Sequence, residues 1–549
     1  GAESATIDLD GGILRASANQ ANFLQGFAAG DMSLGAGGGV FDTNSFAVTV
    51  GAVIDGAGAL TKRGLGTLTL TAVNTYTGGT RIEGGALAVS AANNLGAAGT
   101  AITLDGGTLQ TSGNYSIGRP MTLEEGGGAI GFAPGARLTY TGVISGDGAL
   151  EQRGSGVLVL TGANTFAGAL TLSAGALHIG NGATGSITGD LVNNSWVEFN
   201  RTGTLDYAGD ISGTGDIVKN LSGTVTLSGA LSYEGSTFVN AGTLAIASPS
   251  VFASESVTVE GGMLRFEATA NAGASEITVN GGQVRFTGSS SAGSSSITTN
   301  TLTFAYFLGD ASAGSATITN NGLSFTSFED NATADDATIV LGPDAFLDIT
   351  ALTSSGIAIG SLAGEGNVHL GAKRLTVGGL NTSTTLSGNI DGAGGVLEKT
   401  GTGTLTLSGE NSYTGGTEVE DGTLTIASTD ALGTGNVTVY DSVLRFEANA
   451  AAGARTITVS DGEVQFAGTS TAEATAMVTA SNGVIDLTAL TAGGTSIGSI
   501  SGPGVLHLGD KTLTTGARNA LTEFSGVVDG VGGALVMNGI GMLTLSGAN

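Results

Sequence analysis

One phrase returns along this chain. At 389–417 it reads NIDGAGGVLEKTGTGTLTLSGENSYTGGT, and versions of it stand at 53–81, 143–170 and 210–237. A fifth begins at 527 as VVDGVGGALVMNGIGMLTLSGAN. The phrase is two short strands punctuated by glycines, then an Asn-x-aromatic corner at 411–413, repeated at 74–76 and 164–166. A unit that recurs this way is one turn of a repeat architecture, which must be settled before anything else. In TLTLT, Thr67, Thr69 and Thr71 fall on one face of a strand, and Leu68 and Leu70 on the other. Leu405 and Leu407 do the same, with Thr404 and Thr406 opposite. Such a unit is too short to bury its leucines alone, so stacking unit on unit must supply the missing apolar partner.

A second spacing fixes the size of the turn. Between 253 and 356, segments opening ASESVTVEGG, ASEITVNGG, SSSITTN, SATITNNG and DATIVLG start at 253, 274, 294, 315 and 336, in steps of 21, 20, 21 and 21. That step is one coil of two or three strands, and its length suits a solenoid repeat. LAIAS at 244–248 recurs as LTIAS at 424–428, LRFE at 264 as LRFE at 444, and ITVNGGQVRF at 277 as ITVSDGEVQF at 457, all shifted by 180. Further on, SLAGEG at 361 matches SISGPG at 499, a shift of 138. The second copy is shorter by 180 − 138 = 42 residues, two coils of 21. Loss of whole coils keeps every inward side chain inward, whereas any other length breaks the register.

These words resemble the strand repeat of bacterial autotransporter passenger domains. The match is carried by GLGTLTLTAVNTYTGGT at 64–80, GTGTLTLSGENSYTGGT at 401–417 and the N-terminal run GGILRASANQANFLQGFAAGDMSLGAGGGVFDTNSFAVTV at 11–50. It is clear at the five copies and looser between them. The resemblance implies an all-β fold, a right-handed parallel β-helix (solenoid), whose turn would take roughly 21–22 residues. It implies display outside a Gram-negative cell after export through an outer-membrane pore. It implies a C-terminal β-barrel translocator, which is not in this sequence. It also implies a surface adhesin or its stalk, attaching to a host surface or matrix component or, by self-association, to sister cells. Four regions are expected: an N-terminal cap at 1–52, a repeat-rich helix at 53–243, a helix of similar rungs at 244–388, and at 389–549 a second copy with a shortened rung region. The segment 21–28 is expected to form a brief helical or looped cap. Because Asn411 plus 138 is Asn549, the sequence is expected to stop in mid-unit, leaving a strand edge there. No signal peptide is expected to begin at Gly1, which is followed by neither a basic start nor an apolar core.

Composition is consistent with a stacked rod. With 97 glycines but only 5 prolines among 549 residues, glycine punctuates regular β-branched runs and so marks turns. Strands about 4.8 Å apart would give roughly 25 coils and a rod of about 120 Å. The net charge is −28, and no basic run exceeds two, as in Lys62-Arg63 and Lys373-Arg374. Phosphate backbones need clustered Lys and Arg, so no nucleic-acid partner is expected. Without cysteine there is no disulfide, thiolate zinc site or cysteine nucleophile. No apolar stretch reaches about 18 residues, so no helix is expected to span a bilayer.

Candidate chemistry reduces to repeated positions. His178, His369 and His507 share a hydrophobic-His-hydrophobic-Gly setting, and the last two are duplicates, which suits outward rung residues better than a single catalytic base. Asp55, Asp391 and Asp529 occupy one repeated position, Glu151 and Glu398 another. Glycosidic cleavage would need one singular acid and base pair, so copies of this kind read as turn chemistry. GTGD at 213–216 matches a calcium repeat only partially. Tyr76, Phe166, Tyr233 and Tyr413, with Asn74, Asn164 and Asn411, read as packed corners with a cap; sugar stacking is the alternative. Trp196 reads as a strand-face residue with binding as its alternative. Rows of Thr, Ser and Asn could pair with another copy of the same surface. No catalytic, cofactor-binding or metal-binding residue is assigned, no cofactor is expected, and the binding residues are left open.

Overall fold

The computed structural model describes residues 5–547. Asn549, where the sequence is expected to break off in mid-unit, lies outside the described residues, as does Gly1. The chain forms two compact units, Gly1–Arg265 and Phe266–Asn549. Each is a β-solenoid built from parallel strands, most of them three to five residues long.

In the first unit, strand Leu60–Arg63 does not pair with the next strand, Thr67–Leu70. It pairs with Thr80–Ile82, one coil later, while Thr67–Leu70 pairs with Ala86–Val89. Each strand of a coil thus lies over its counterpart in the coil before, and parallel pairing follows because the chain always returns in the same direction. The alternation of Thr and Leu decides which face is dry. Leu68 and Leu70 are buried and Thr67 and Thr69 half-exposed. Stacking then builds columns: Leu68, Leu87, Leu109 and Ile130 follow one another in register, each fully buried. Each such side chain contributes about 1.5–3 kcal/mol through removal from water, which no single coil could gain alone.

The second unit repeats the plan. Ile277 pairs with Ile297, Ile297 with Ile318 and Ile318 with Ile339, so the period of the sequence is also the pairing period. An inner column of Phe266, Phe286, Phe307 and Phe328 stacks with centroids 4.9, 4.8 and 4.8 Å apart and planes within 11°. That spacing is the distance between strands, so the rings stack without leaving their rungs.

The difference in length between the two copies is visible as missing coils. In the first copy Gln283 is followed in register by Phe304, Phe325, Phe346 and Asn367. In the second, Glu463 is followed directly by Val484 and then Val505. Two rungs are gone and the pairing closes without slippage.

The N-terminal segment, expected as a brief helical or looped cap, is a loop over 25–28 but a strand before it. Within 21–28 there is no helix; Gln20–Leu24 is a strand that pairs with Val48–Val50 across an irregular register. Alternation of exposed and covered side chains is weak here, so local sequence left the choice open, and pairing with the following coil decided it. Among the described residues the one helical element is the 3-10 turn Ala92–Leu95, and no helix is long and apolar enough to cross a membrane.

Candidate functional site

The repeated corner is where the sequence placed its most specific residues. Asn411 lies buried between coils: its Oδ1 accepts from the Ile390 N–H at 2.7 Å and its Nδ2 donates to the Ala431 carbonyl at 2.5 Å. One side chain therefore joins the coil before and the coil after. Asn74 does the same with Ile54 at 2.9 Å and Asn94 at 2.6 Å, and Asn164 with Ile144 at 3.0 Å and Ser186 at 2.9 Å. In the third copy the position is Leu231, and the Ile211 N–H goes directly to the Ala230 carbonyl at 2.8 Å.

The corner aromatics are all fully buried, which removes them from contact with any sugar. Tyr76, Tyr233 and Tyr413 each place the hydroxyl 2.7 Å from the Oγ1 of the threonine four residues on: Thr80, Thr237 and Thr417. Where the tyrosine is Phe166, the threonine position is Leu170. In that copy neither side chain carries a hydroxyl, so the pair is absent as a whole and the corner stays apolar. Burial pushes the Tyr76 phenol up to about 12, partly offset by its bond to Thr80.

Three lysines are not distinguished by the sequence pattern alone. Lys62, Lys219 and Lys399 occupy one repeat position and point inward, essentially unexposed. Each ammonium donates to three backbone carbonyls: Lys62 to Arg63, Gly64 and Gly84 at 2.8–3.0 Å, Lys219 to Asn220, Leu221 and Ala241 at 2.7–3.1 Å, and Lys399 to Thr400, Gly401 and Asp421 at 2.7–3.2 Å. The charge is tolerated inside because every N–H has an acceptor. Burial still pushes Lys62 and Lys219 down to about 8, and lowers Lys399. In the second copy Gln152 takes this place, with Nε2 on the Gly156 and Ala176 carbonyls. The available signal is an L-x-K or I-x-K step in which lysine falls on the leucine face.

The histidines lie on outward faces and pair with carboxylates of neighbouring coils. His369 Nδ1 is 2.8 Å from Asp391 Oδ2, and His507 Nδ1 is 2.8 Å from Asp529 Oδ1. In register, Asp348, His369 and Asp391 stack as Asp486, His507 and Asp529 do. The duplicated His and Asp positions thus belong together, as two copies of one surface ladder. His178 is more covered: Nδ1 is 3.3 Å from Asn200 Nδ2 and Nε2 is 3.4 Å from Glu198. Burial depresses its pKa, with Glu198 opposing.

The repeated carboxylates do not meet. Asp55 lies in register with Ser33. Glu151 pairs with Arg153 at 2.5 Å and accepts from Ser173 at 2.9 Å. Glu398 accepts from Arg374 at 2.8 Å and Thr376 at 3.1 Å, and Arg374 also holds Glu418. In the GTGD segment, Asp216 Oδ1 accepts the Ser236 N–H at 2.8 Å, a bond between turns. Trp196 is half-buried, its ring against Phe238 at 6.0 Å and its N–H donated to Glu198 at 2.9 Å. Exposed asparagines form ladders, Asn300 to Asn280 at 2.8 Å and Asn321 to Asn300 at 3.2 Å. Among the described residues no group of three or more His, Cys, Asp or Glu is placed to hold a metal ion.

The family model described as Passenger-associated-transport-repeat matches residues 60–89, 150–179, 217–246 and 397–426. The chain carries four autotransporter-associated repeats. Each transport repeat begins on the strand bearing the inward Lys or Gln and ends on the strand that pairs, one coil later, with the next strand along, so it contains the corner whole. The chain is also 38% identical over 164 residues to "Adhesin BmaC autotransporter" of Brucella suis biovar 1 (strain 1330), a match covering 30% of this chain and 5% of that protein. The chain therefore spans a small fraction of this relative's length. No solved structure matches it.

Proposed function

We propose that this chain is an exported passenger segment of an autotransporter, acting at the bacterial surface as a non-catalytic adhesin or its stalk. The observation that carries this reading is the set of four transport repeats, each built into the solenoid so that it spans one corner with its buried aromatic. The relative named as an autotransporter adhesin supports the adhesive role. In this reading the solenoid supplies a stiff support, and outward ladders meet a host surface, a matrix component or a sister cell. The regions at 1–52, 53–243, 244–388 and 389–549 would then differ in what their outward faces present, since the inward faces all do the same work.

The test is attachment by the purified protein. Beads coated with it should adhere to matrix proteins or cells, or aggregate with one another, above beads coated with an unrelated β-rich protein. No adhesion to any of these would leave only a spacer. Release of shortened products from a polysaccharide panel would instead favour an enzyme.

A further inference from the structure

Outward strand positions of the second unit are mostly Thr, Ser, Asn, Val and charged residues, and aromatic rings gather on one stretch of three coils. On strands Phe304–Phe307, Phe325–Phe328 and Phe346–Asp348, Phe304, Phe325 and Phe346 point outward in register and are half-exposed. Tyr306 stands beside Phe304 on the same face, and its ring meets Phe325 edge-on at 5.3 Å. The stripe continues to His369, whose ring lies 5.2 Å from Phe346. At its other end the Arg285 guanidinium covers the Tyr306 ring at 4.8 Å, oriented by a 3.0 Å bond to Gln283.

The molecule carries its own control for what this stripe is for. In the duplicate copy the two rungs bearing Phe304, Tyr306 and Phe325 are absent, Phe346 is represented by Val484 and Arg285 by Gln465. The Asp486, His507 and Asp529 ladder survives there, and the coils close in register. Outward aromatics are therefore not needed to build or close a coil. They add half-exposed aromatic surface, and together with Arg285 and the charged residues around them they have the composition of a recognition surface: aromatic and Arg anchors with a polar rim.

The ring geometry selects the class of partner. Phe325 and Phe346 stack at 4.9 Å and 14°, and one face of Tyr306 is taken by Arg285. Sugars stack on free aromatic faces; here Phe325 and Phe346 cover each other's faces, Phe304 tilts against Phe325 at 41°, and Tyr306 meets Phe325 edge to face. Rings whose faces are engaged with one another in this way offer more to the apolar side chains of a polypeptide than to a sugar ring. The rim is acidic, with Glu329 beside Tyr306 and Asp348 and Asp391 at the far end, within a chain of net charge −28. A second copy of this chain would bring like charge, so complementarity calls for a basic segment.

We propose that the stripe Phe304–Tyr306–Phe325–Phe346–His369 is a docking surface for a basic polypeptide segment bearing apolar side chains. This rests on the adhesin reading and names the partner chemistry for one face.

The test compares the wild-type protein with a triple variant, Phe304→Thr, Tyr306→Thr and Phe325→Thr, which carries the residue typical of outward rungs. The probes are an immobilised lysine–phenylalanine copolymer, polylysine, a glutamate–phenylalanine copolymer and cellohexaose. The wild type should bind the lysine–phenylalanine copolymer at least about tenfold more tightly than the variant, a difference of about 1.4 kcal/mol. Polylysine should bind both alike. Equal binding of the lysine–phenylalanine copolymer by both proteins would overturn the proposal, as would equal binding of the glutamate copolymer by the wild type. A variant-sensitive affinity for cellohexaose would reassign the stripe to glycans. If the triple variant loses its circular-dichroism spectrum, Phe346→Val, the residue of the duplicate copy, takes its place with the same criterion. Adhesion lost while copolymer binding persists would sink the adhesin reading and leave the stripe; the converse would sink only the stripe.

Discussion

Lys399 shows how much can depend on one atom. Its Nζ serves three backbone carbonyls of two neighbouring coils, so Lys399→Met leaves them without that donor. A loss of about 2–4 kcal/mol is expected in the opening free energy of the adjoining coils, read by native-state hydrogen exchange. A loss below about 0.5 kcal/mol would mean that the ammonium does not cap the turn. The Tyr413 and Thr417 pair gives a sharper test. Tyr413→Phe alone should cost about 1–2 kcal/mol, while Tyr413→Phe with Thr417→Leu, the natural combination at Phe166 and Leu170, should recover most of it. Titration supplies a third. Lys62 and Lys219 hold their protons less tightly folded (about 8) than unfolded (10.5). Between those values the unfolded chain binds more protons, so their contribution to stability rises with pH. Tyr76 runs the other way: folded it titrates near 12, unfolded at 10.0, so its contribution is present below 10 and lost above. The melting temperature should hold or rise from pH 8 to 10 and fall beyond it. A steady decline from pH 8 would contradict the lysine assignment.

At the scale of the strand and its turn, the alternation in TLTL is enough to name the buried face, because a period of two leaves no other choice. The corner is legible too, since Asn and Tyr at a fixed distance from a strand leave few arrangements. What local sequence does not show depends on register between coils. The inward lysines read as surface residues until their strand is placed. Phe304 and Phe307 look alike in the sequence, and only the coil decides that one faces out and the other in. The strand at Gln20–Leu24 is hidden for the same reason. Close packing between coils makes a further demand at the loop after the second strand. There Gly409 lies against the carbonyl of Gly388, and Gly388 against that of Gly366, so that a methyl group on either would overlap backbone. Gly409→Ala should therefore cost at least about 2 kcal/mol, more than the same change at an exposed turn such as Gly493, where a methyl meets nothing within 4 Å. Comparable urea midpoints for the two variants would contradict this packing.

For the molecule as a whole, the number that organises everything is the coil length. The shifts of 180 and 138 are readable from sequence as loss of two whole coils, and the step from Glu463 directly to Val484 and Val505 shows where they are missing. The docking face has no such signature, because it is defined by what its duplicate lacks. Interchangeable rungs can be removed only whole, since a partial deletion turns the inward face outward. Deleting residues 294–314, which fuses Gly293 to the equivalent Ser315, should leave the amides of 315–349 as protected from hydrogen exchange as before. Deleting only 294–302 should abolish that protection by inverting the inward face. Equal protection after both deletions, or collapse after the first, would contradict the solenoid register.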